Sequence, residues 1–559
     1  MNRDAERITI TLEPMGARLE AAPGATLLEY AQQAGVDLTA VCGGNGTCGM
    51  CRMILVSGQV SKLNSTEEDF LTHAEIRRGV RLACQARAYS DCRVQFPPES
   101  LATLQRLQLE GRETHIRLHP AVRWADEANR RVVRSGRRVI STLPVGSPLY
   151  GLAVDVGTTK VAAYLVDLQD GRTAASAGVT NPQIAYGEDV ISRIEYCDQH
   201  PRGLEELQHA LVEALNELLA GMCREVGAGL DQVVDAVLVG NTAMHHLLAG
   251  LPVHSLGTAP YVAAAKEAMR IPAAAVGLKM APDASLYLPP NIAGFVGGDH
   301  LAMLLATHAY RYRRTVVALD IGTNTEISLV HAGRHWACSC ASGPAFEGAH
   351  IREGIRAIPG AIERIRLEAN GVQIHTIQGK LAVGICGSGI LDAVAELRRA
   401  DLIDARGAFH RGNPRLALAN GKPVFRLVPA EKSGHGREIA VSREDVNEIQ
   451  LAKAAIRSGV EVLLQQAGIG YADIDLFLVA GAFGSYLDLA NAVRIGMFPP
   501  LPLERFQQVG NAAGAGARQM LLSTRQRQAA GRLSKRIEYI ELTTVAGYTD
   551  IFMDAIRLD

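Results

Sequence analysis

A chain of 559 residues is too long for one hydrophobic core and requires two to four domains. Its formal net charge of −1 gives no electrostatic case for nucleic acid or an anionic membrane surface, and no uninterrupted apolar run reads as a membrane span. Ten cysteines at uneven spacing are too few for a disulfide scaffold of this length. The N-terminus enters strand alternation directly, with no signal-peptide core, so the expected location is the cytoplasm.

Residues 7–22 alternate apolar and polar, predicting two short strands. Thr26 with Glu29 has the pattern of a capping box for a helix Leu27–Ala34, which Gly35 ends. VCGGNGTCGMC then sets Cys42, Cys48 and Cys51 in a C-x5-C-x2-C loop, and Cys84 follows in RLACQ. Thiolates bunched on a glycine-rich loop leave backbone N–H groups free to hydrogen-bond cluster sulfides. A structural zinc site would more often pair two C-x2-C knuckles, and disulfides are the remaining reading. The layout resembles a [2Fe–2S] ferredoxin of the β-grasp type over about residues 7–98. Its loop is one residue longer than the plant pattern, as in ferredoxins that serve monooxygenases. The resemblance implies Cys42, Cys48, Cys51 and Cys84 as cluster ligands. Cys92, alternating within DCRVQFP, is read as a structural strand residue.

Residues 100–145 read as an arginine-rich connector, either a solvated surface or a docking face for an acidic partner. No aromatic platform interleaves its charges, which argues against nucleic acid. LAVDVGTTKVAAYLVD (Leu152–Asp167) reads as a hairpin around Gly157, Thr158, Thr159 and Lys160, and VALDIGTNTEISLV (Val317–Val330) repeats it around Gly322, Thr323 and Asn324. Asp155 recurs as Asp320. Two such turns imply two similar subdomains closing on one nucleotide, with backbone N–H groups on phosphates and aspartates on a hydrated Mg²⁺.

Between the hairpins, Asn181–Cys197 begins a helical stretch reaching about Val226, and Val233–Leu251 reads as strand, turn at Gly240 and helix capped by Asn241. His245 and His246 are adjacent, so they point apart and do not form a ligand pair. Gly297-Gly298-Asp299 opens another helix, where Asp299 orients water or metal, or simply caps the helix. Cys338 and Cys340 read as structural strand cysteines. Gly387-Ser388-Gly389 permits close approach by either nucleotide or partner. Glu448 and Lys453 have the spacing to touch an adenine, or form a solvated face. DLFLVAGAFGSYL (Asp475–Leu487) ends a strand in Gly481 and Gly484, and the C-terminal tail is read as packing on the core.

The hairpins and the Gly481–Gly484 stretch resemble the two phosphate loops and the adenosine loop of the actin, sugar-kinase and heat-shock ATPase superfamily. Asp299 resembles the sugar-kinase Gly-Asp whose carboxylate is the base. With the ferredoxin-like start, and with GNTAMHHLL, AGFVGGD, CGSGI, EIQLAKAAIRSG and AGAFGSYLD, the chain resembles the reductive activators of corrinoid-dependent methyltransferases. That resemblance implies an α/β multi-domain protein. A β-grasp ferredoxin domain (1–98) and a connector (99–148) lead into two ribonuclease H-like subdomains of the actin-like ATPase fold (149–312 and 313–559). It implies a [2Fe–2S] cluster, ATP and Mg²⁺, an upstream low-potential reductant, and ATP-dependent reduction of a corrinoid protein from Co(II) to Co(I). A homodimer is compatible with it. A metabolite kinase with a redox-sensing domain, a nucleotide-gated scaffold or carrier for another low-potential enzyme, and an activator of acyl-CoA dehydratases are the alternatives. The last of these lacks an N-terminal ferredoxin.

Overall fold

The structure, a computed structural model, describes residues 7–559 apart from 14, 35, 37, 39–45, 47–50, 98–115, 188, 349, 369–370, 411, 420, 482 and 485. The N-terminal unit is a five-stranded mixed sheet. Ile8–Glu13 pairs antiparallel with Ala17–Ala21 and parallel with Cys92–Gln95, beyond which lie Arg52–Ser57 and Val80–Leu82. Helix Leu27–Gln33 packs Leu27, Leu28, Tyr30 and Ala31 inward. It starts where expected because Thr26 and Glu29 bond each other's backbone N–H. This is the β-grasp arrangement, and Cys92 is buried in its strand.

The arginine-rich segment is folded. Arg123–Glu127, Arg130–Ser135 and Arg138–Pro144 form an antiparallel meander whose Val133, Ile140 and Leu143 join the core of the following subdomain. Arg131 pairs with Asp126, Arg134 with Glu127, and Arg138 with Asp283, so much of its positive charge is already met within the chain.

Two six-stranded sheets follow, and their strand orders mirror each other. In the first, Thr173–Thr180, Lys160–Asp167 and Tyr150–Val156 run as an antiparallel meander, and Val233–Gly240 then pairs parallel with Tyr150–Val156. In the second, Arg334–Cys340, Thr325–His331 and Val316–Ile321 repeat the meander, and Leu476–Ala480 takes the parallel place. The fourth strand of each leads on to one more parallel strand, Ser285–Leu288 or Phe506–Gly510, and each of these ends in a helix, Gly298–Ala306 or Ala512–Leu522.

Those two helices pack against each other between the halves. The approach is close enough that a Cβ on Gly516 would stand 2.1 Å from the Ala302 carbonyl, so only glycine fits there. The helix Ala512–Leu522 and its successor Thr524–Ser534 belong to the first subdomain's core, although they follow it by two hundred residues or so. Leu521 covers Gly151, and buried Arg527 pairs with buried Asp235 at 2.5 Å.

The helical stretch expected from Asn181 to Val226 is divided. A short turn Pro182–Tyr186 precedes helices Val190–Gln199 and Gly203–Val226, and Pro201 cannot donate to continue the first of them. The tail adds a strand, Ile537–Tyr539, parallel to Arg334–Cys340, and a helix, Tyr548–Ala555, whose partly buried Tyr548, Ile551 and Phe552 pack on the second core. Among the described residues no helix is long and apolar enough to cross a membrane.

Candidate functional site

The two hairpins face a cleft of about 240 Å³ between the halves. Asp155, Gly157, Thr158, Thr159, Lys160 and Asn241 line it from the first half, with Asp299 at the helix start. Asp320, Gly322, Thr323, Asn324, Gly387, Ser388 and Gly481 line it from the second. At the first turn Gly157 N–H donates to the Lys160 carbonyl at 2.9 Å, and a Cβ on Gly157 would stand 2.7 Å from that oxygen. The turn is buttressed from outside. Asn241 Nδ2 donates to Thr158 Oγ1 at 2.9 Å, and Asn181 Nδ2 donates to the Gly157 carbonyl at 2.9 Å. Arg193, fully buried, donates through Nη2 to the Thr158 carbonyl at 2.6 Å.

Four carboxylates meet in the cleft. Burial raises Asp155 to about 6 against a hydrogen bond from Asn511, and burial with the Asp155 charge raises Asp320 to about 7. Burial, then Asp320 and Asp155, lift Asp299 well above the usual carboxylate range. Burial, then Asp299 and Asp320, do the same to Glu326. Mutually repelling buried carboxylates of this kind call for a cation. Among the described residues no three acidic, His or Cys side chains are set to chelate an ion directly. The donor set therefore fits magnesium held through its waters and a ligand's phosphates, the usual habit of that ion. Lys160 supplies positive charge at the opposite turn, its ammonium held below the usual range by burial.

Several sequence expectations change here. Gly240 and Gly484 stand behind the lining. The Gly240 carbonyl abuts Gly297, and the Gly484 carbonyl accepts from Gln508 Nε2 at 2.6 Å. Asp299 is not the helix cap, a place taken by Gly297, and its Oδ1 accepts the His300 N–H at 2.7 Å. Glu448 and Lys453 are outside the cleft. Lys453 is buried with Nζ on the Arg557 carbonyl, and Glu448 lies 3.9 Å from His350. His245 and His246 are buried, hydrogen-bonded to each other and lowered by burial, which keeps them neutral.

Sequence reasoning passed over Asn511, Glu326, Glu347 and the aromatic pair Phe346–Phe483, stacked at 4.7 Å between centroids. Asn511 is the most legible of these. GNAAGAG opens the helix Ala512–Leu522 as GGDH opens Gly298–Ala306, so Asn511 faces Asp155 as Asp299 faces Asp320.

In the N-terminal unit, Cys51 and Cys84 are both buried, at the ends of adjacent strands, and Ala83 N–H donates to the Cys51 carbonyl at 2.8 Å. Gln85 Nε2 donates to Cys84 Sγ at 3.4 Å, the kind of N–H···S contact that stabilises a cluster thiolate. Two thiols thus shielded together fit a [2Fe–2S] cluster. Cys42 and Cys48 lie outside the described residues.

A ferredoxin-type domain joined to two mirrored halves around an acidic phosphate-type cleft defines an iron–sulfur protein with an ATPase-type domain of the actin, sugar-kinase and heat-shock class. The chain belongs to the family of reductive activators of corrinoid proteins. Residues 314–559 match the family profile "C-terminal domain of RACo the ASKHA domain", 150–312 match "RACo middle region", and 10–89 match "2Fe-2S iron-sulfur cluster binding domain". It is 31% identical to the corrinoid activation enzyme RamQ of Eubacterium limosum, over 93% of this chain and 94% of that one. It is 26% identical to a [Co(II) methylated amine-specific corrinoid protein] reductase of Methanosarcina barkeri, over 72% and 76% of the two. The solved reductive activator for corrinoid, iron-sulfur protein superposes with a TM-score of 0.73 at 30% identity, covering 99% of this chain and 98% of that one.

Proposed function

We propose that this protein takes one electron from a low-potential cellular donor and passes it to Co(II) of an inactive corrinoid protein, giving Co(I), with ATP hydrolysis driving the exchange. The donor loses one electron and the cobalt gains one. The observation that carries this reading is the joining of a ferredoxin-type domain to a phosphate-type cleft whose wall it touches. A carrier working downhill needs no nucleotide site. Plant-type clusters lie near about −400 mV. A cobalt couple roughly 120 mV lower would oppose transfer about a hundredfold, or about 2.7 kcal/mol. Nucleotide-driven population shifts supply energies of that size.

The bound groups supply a one-electron store in the first case and a hydrolysable phosphoryl group with its magnesium in the second. In this reading Cys42, Cys48, Cys51 and Cys84 hold the cluster. The turns at Gly157 and Gly322 present N–H groups to phosphates, with Lys160 adding charge. Asp155 and Asp320 would hold a hydrated magnesium, which would offset the phosphate charge. Asp299, raised by burial and by the Asp320 and Asp155 charges, would be ionised once a cation offsets them, and could then orient the attacking water and take its proton. Gly481 and Phe483 face the base. The working units are 1–98, 99–148, 149–312 and 313–559, and the site of action is the cytoplasm.

The test is reduction of a Co(II) corrinoid protein by the anaerobically purified protein, with a low-potential reductant and magnesium-ATP, followed in the corrinoid absorption spectrum. Conversion to Co(I) that needs ATP is expected. Cys51→Ser and Cys84→Ser should each bleach the protein and abolish the conversion, and Cys92→Ser should do neither. Equal conversion without ATP would reduce the protein to a ferredoxin carrier. Phosphorylation of a small hydroxylated acceptor without any reductant would make it a kinase.

A further inference from the structure

The ferredoxin domain and the cleft share a wall, the segment around Arg356. Arg356 and Ala357 line the cleft, while Ile355 and Ile358 beside them belong to the ferredoxin domain's apolar cluster. Arg356 N–H donates to the Met15 carbonyl at 2.8 Å, and its side chain runs past Gly16 towards Glu13. Glu13 is 1% exposed. Its Oε1 accepts from Arg93 Nη2 at 3.0 Å, within the same domain. Its Oε2 accepts no hydrogen bond, although Arg356 Nη1 stands 3.3 Å away.

The Glu13–Arg356 contact is therefore an ion pair without hydrogen-bond geometry, the weaker of Glu13's two attachments. A phosphate offers the same guanidinium a two-bond match, at the end of the cleft where Lys160 stands. Arg356 is already within electrostatic reach of the first phosphate turn. Burial holds the Lys160 ammonium down, and Arg356 adds to that effect against the pull of Glu347. A further polar attachment of the domain on this side is Arg437 Nη2, which donates to the Gln33 carbonyl at 2.9 Å and does not line the cleft.

We propose that Arg356 is shared between two anions, Glu13 of the ferredoxin domain and the phosphates of the bound nucleotide, so that nucleotide binding and docking of the ferredoxin domain oppose one another. This rests on the nucleotide reading of the cleft. Nucleotide draws Arg356 away from Glu13, whose charge Arg93 continues to meet. The domain bearing the cluster cysteines then keeps its apolar seam, the Arg356 N–H bond to the Met15 carbonyl and Arg437, with one charged contact fewer. Linkage requires the converse: whatever loosens docking tightens nucleotide binding by the same factor.

The experiment measures affinity for a non-hydrolysable ATP analogue with magnesium, and hydrogen exchange of Ile8–Glu13 and Arg352–Ile358, on the full-length cluster-loaded protein. Glu13→Gln, nearly isosteric, is expected to tighten analogue binding roughly fivefold, at the lower end of usual couplings. Arg437→Ala, outside the cleft lining, is expected to shift affinity in the same direction. In the wild type the analogue should speed exchange of Ile8–Glu13. In Arg356→Gln it should bind more weakly and leave that exchange unchanged. Analogue affinity within twofold of wild type in both Glu13→Gln and Arg437→Ala, with exchange indifferent to nucleotide, overturns this inference alone. A wild type that binds no nucleotide overturns the reading of the cleft with it.

Discussion

The two phosphate-type hairpins share a sequence pattern and differ by one residue. Val156 pairs with Val161 across a four-residue turn, whereas Ile321 pairs with Thr325 across three. The extra residue is Lys160. Behind the first turn stands Arg193, pulled down to about 9 by burial and still protonated at neutral pH. Behind the second stand acids: Thr323 Oγ1 donates to Glu347 Oε1 at 2.5 Å, and Glu326 follows directly in the strand. One turn is thus backed by cations and the other by carboxylates. The duplicated turns have diverged in their backing, while Asp155 and Asp299 bring acid to the cleft from the first half as well.

Removing a metal-side carboxylate should break this division most severely. Asp320→Ala is expected to lower ATP hydrolysis roughly 10³-fold, the size seen when a charge-stabilising group is taken from a reaction centre. Asp155→Ala should behave alike, and Asp299→Asn should keep nucleotide affinity while slowing turnover. Phosphate-release rates together with analogue binding separate these cases, and full activity in all three variants would empty the comparison of meaning.

An intermediate effect concerns the turns themselves. Lys160→Met should weaken magnesium-ATP binding roughly tenfold, as loss of a charged hydrogen-bonding group does, and Asn324→Ala about threefold. Equal losses in equilibrium titrations would show that the two turns are equivalent after all.

The smallest effect is on stability against pH. Asp155 at about 6 and Asp320 at about 7 both lie above their unfolded value of 3.8, so the folded protein binds more protons between these limits. Their contribution is present at low pH and is lost as pH rises towards 7. Without metal, the melting temperature of the wild type should fall relative to that of Asp155→Asn/Asp320→Asn by about 1–3 °C between pH 5 and 7.5. Magnesium with nucleotide should abolish the difference, because a cation neutralises the charges whose repulsion creates it.

Much of the cleft was legible because its turns are local. Asp155–Lys160 and Asp320–Asn324 are short runs in which glycine, threonine and flanking apolar strands carry the signal within ten residues. The capping box at Thr26 and Glu29 was legible for the same reason. What escaped depends on distant pairings. Glu326 gains its meaning only when Asp299 comes across from the other half. The Glu13–Arg356 pair joins residues more than three hundred positions apart. Lys453 misled because helical spacing shows which residues share a face but not what that face meets. Its partner is the Arg557 carbonyl near the C-terminus. The arginine-rich connector misled in the opposite way, since composition registers its charge while the acids that meet it come partly from a later loop, at Asp283.

The helix Ala512–Leu522, seated in the first subdomain's core, also sets a timetable. The sheet begun at Tyr150 has the helix Gly203–Val226 on its strands early, but lacks the cover of the late helices until the chain has been made through Leu533, about 220 residues beyond Tyr312 at the end of the first half. At roughly 5–20 residues per second that interval is about 10–45 s. Throughout it the apolar face around Gly151, later filled by Leu521, is open to solvent on the nascent chain. The two halves must therefore finish folding together rather than in succession, and the emerging first half is the stretch on which a chaperone would act.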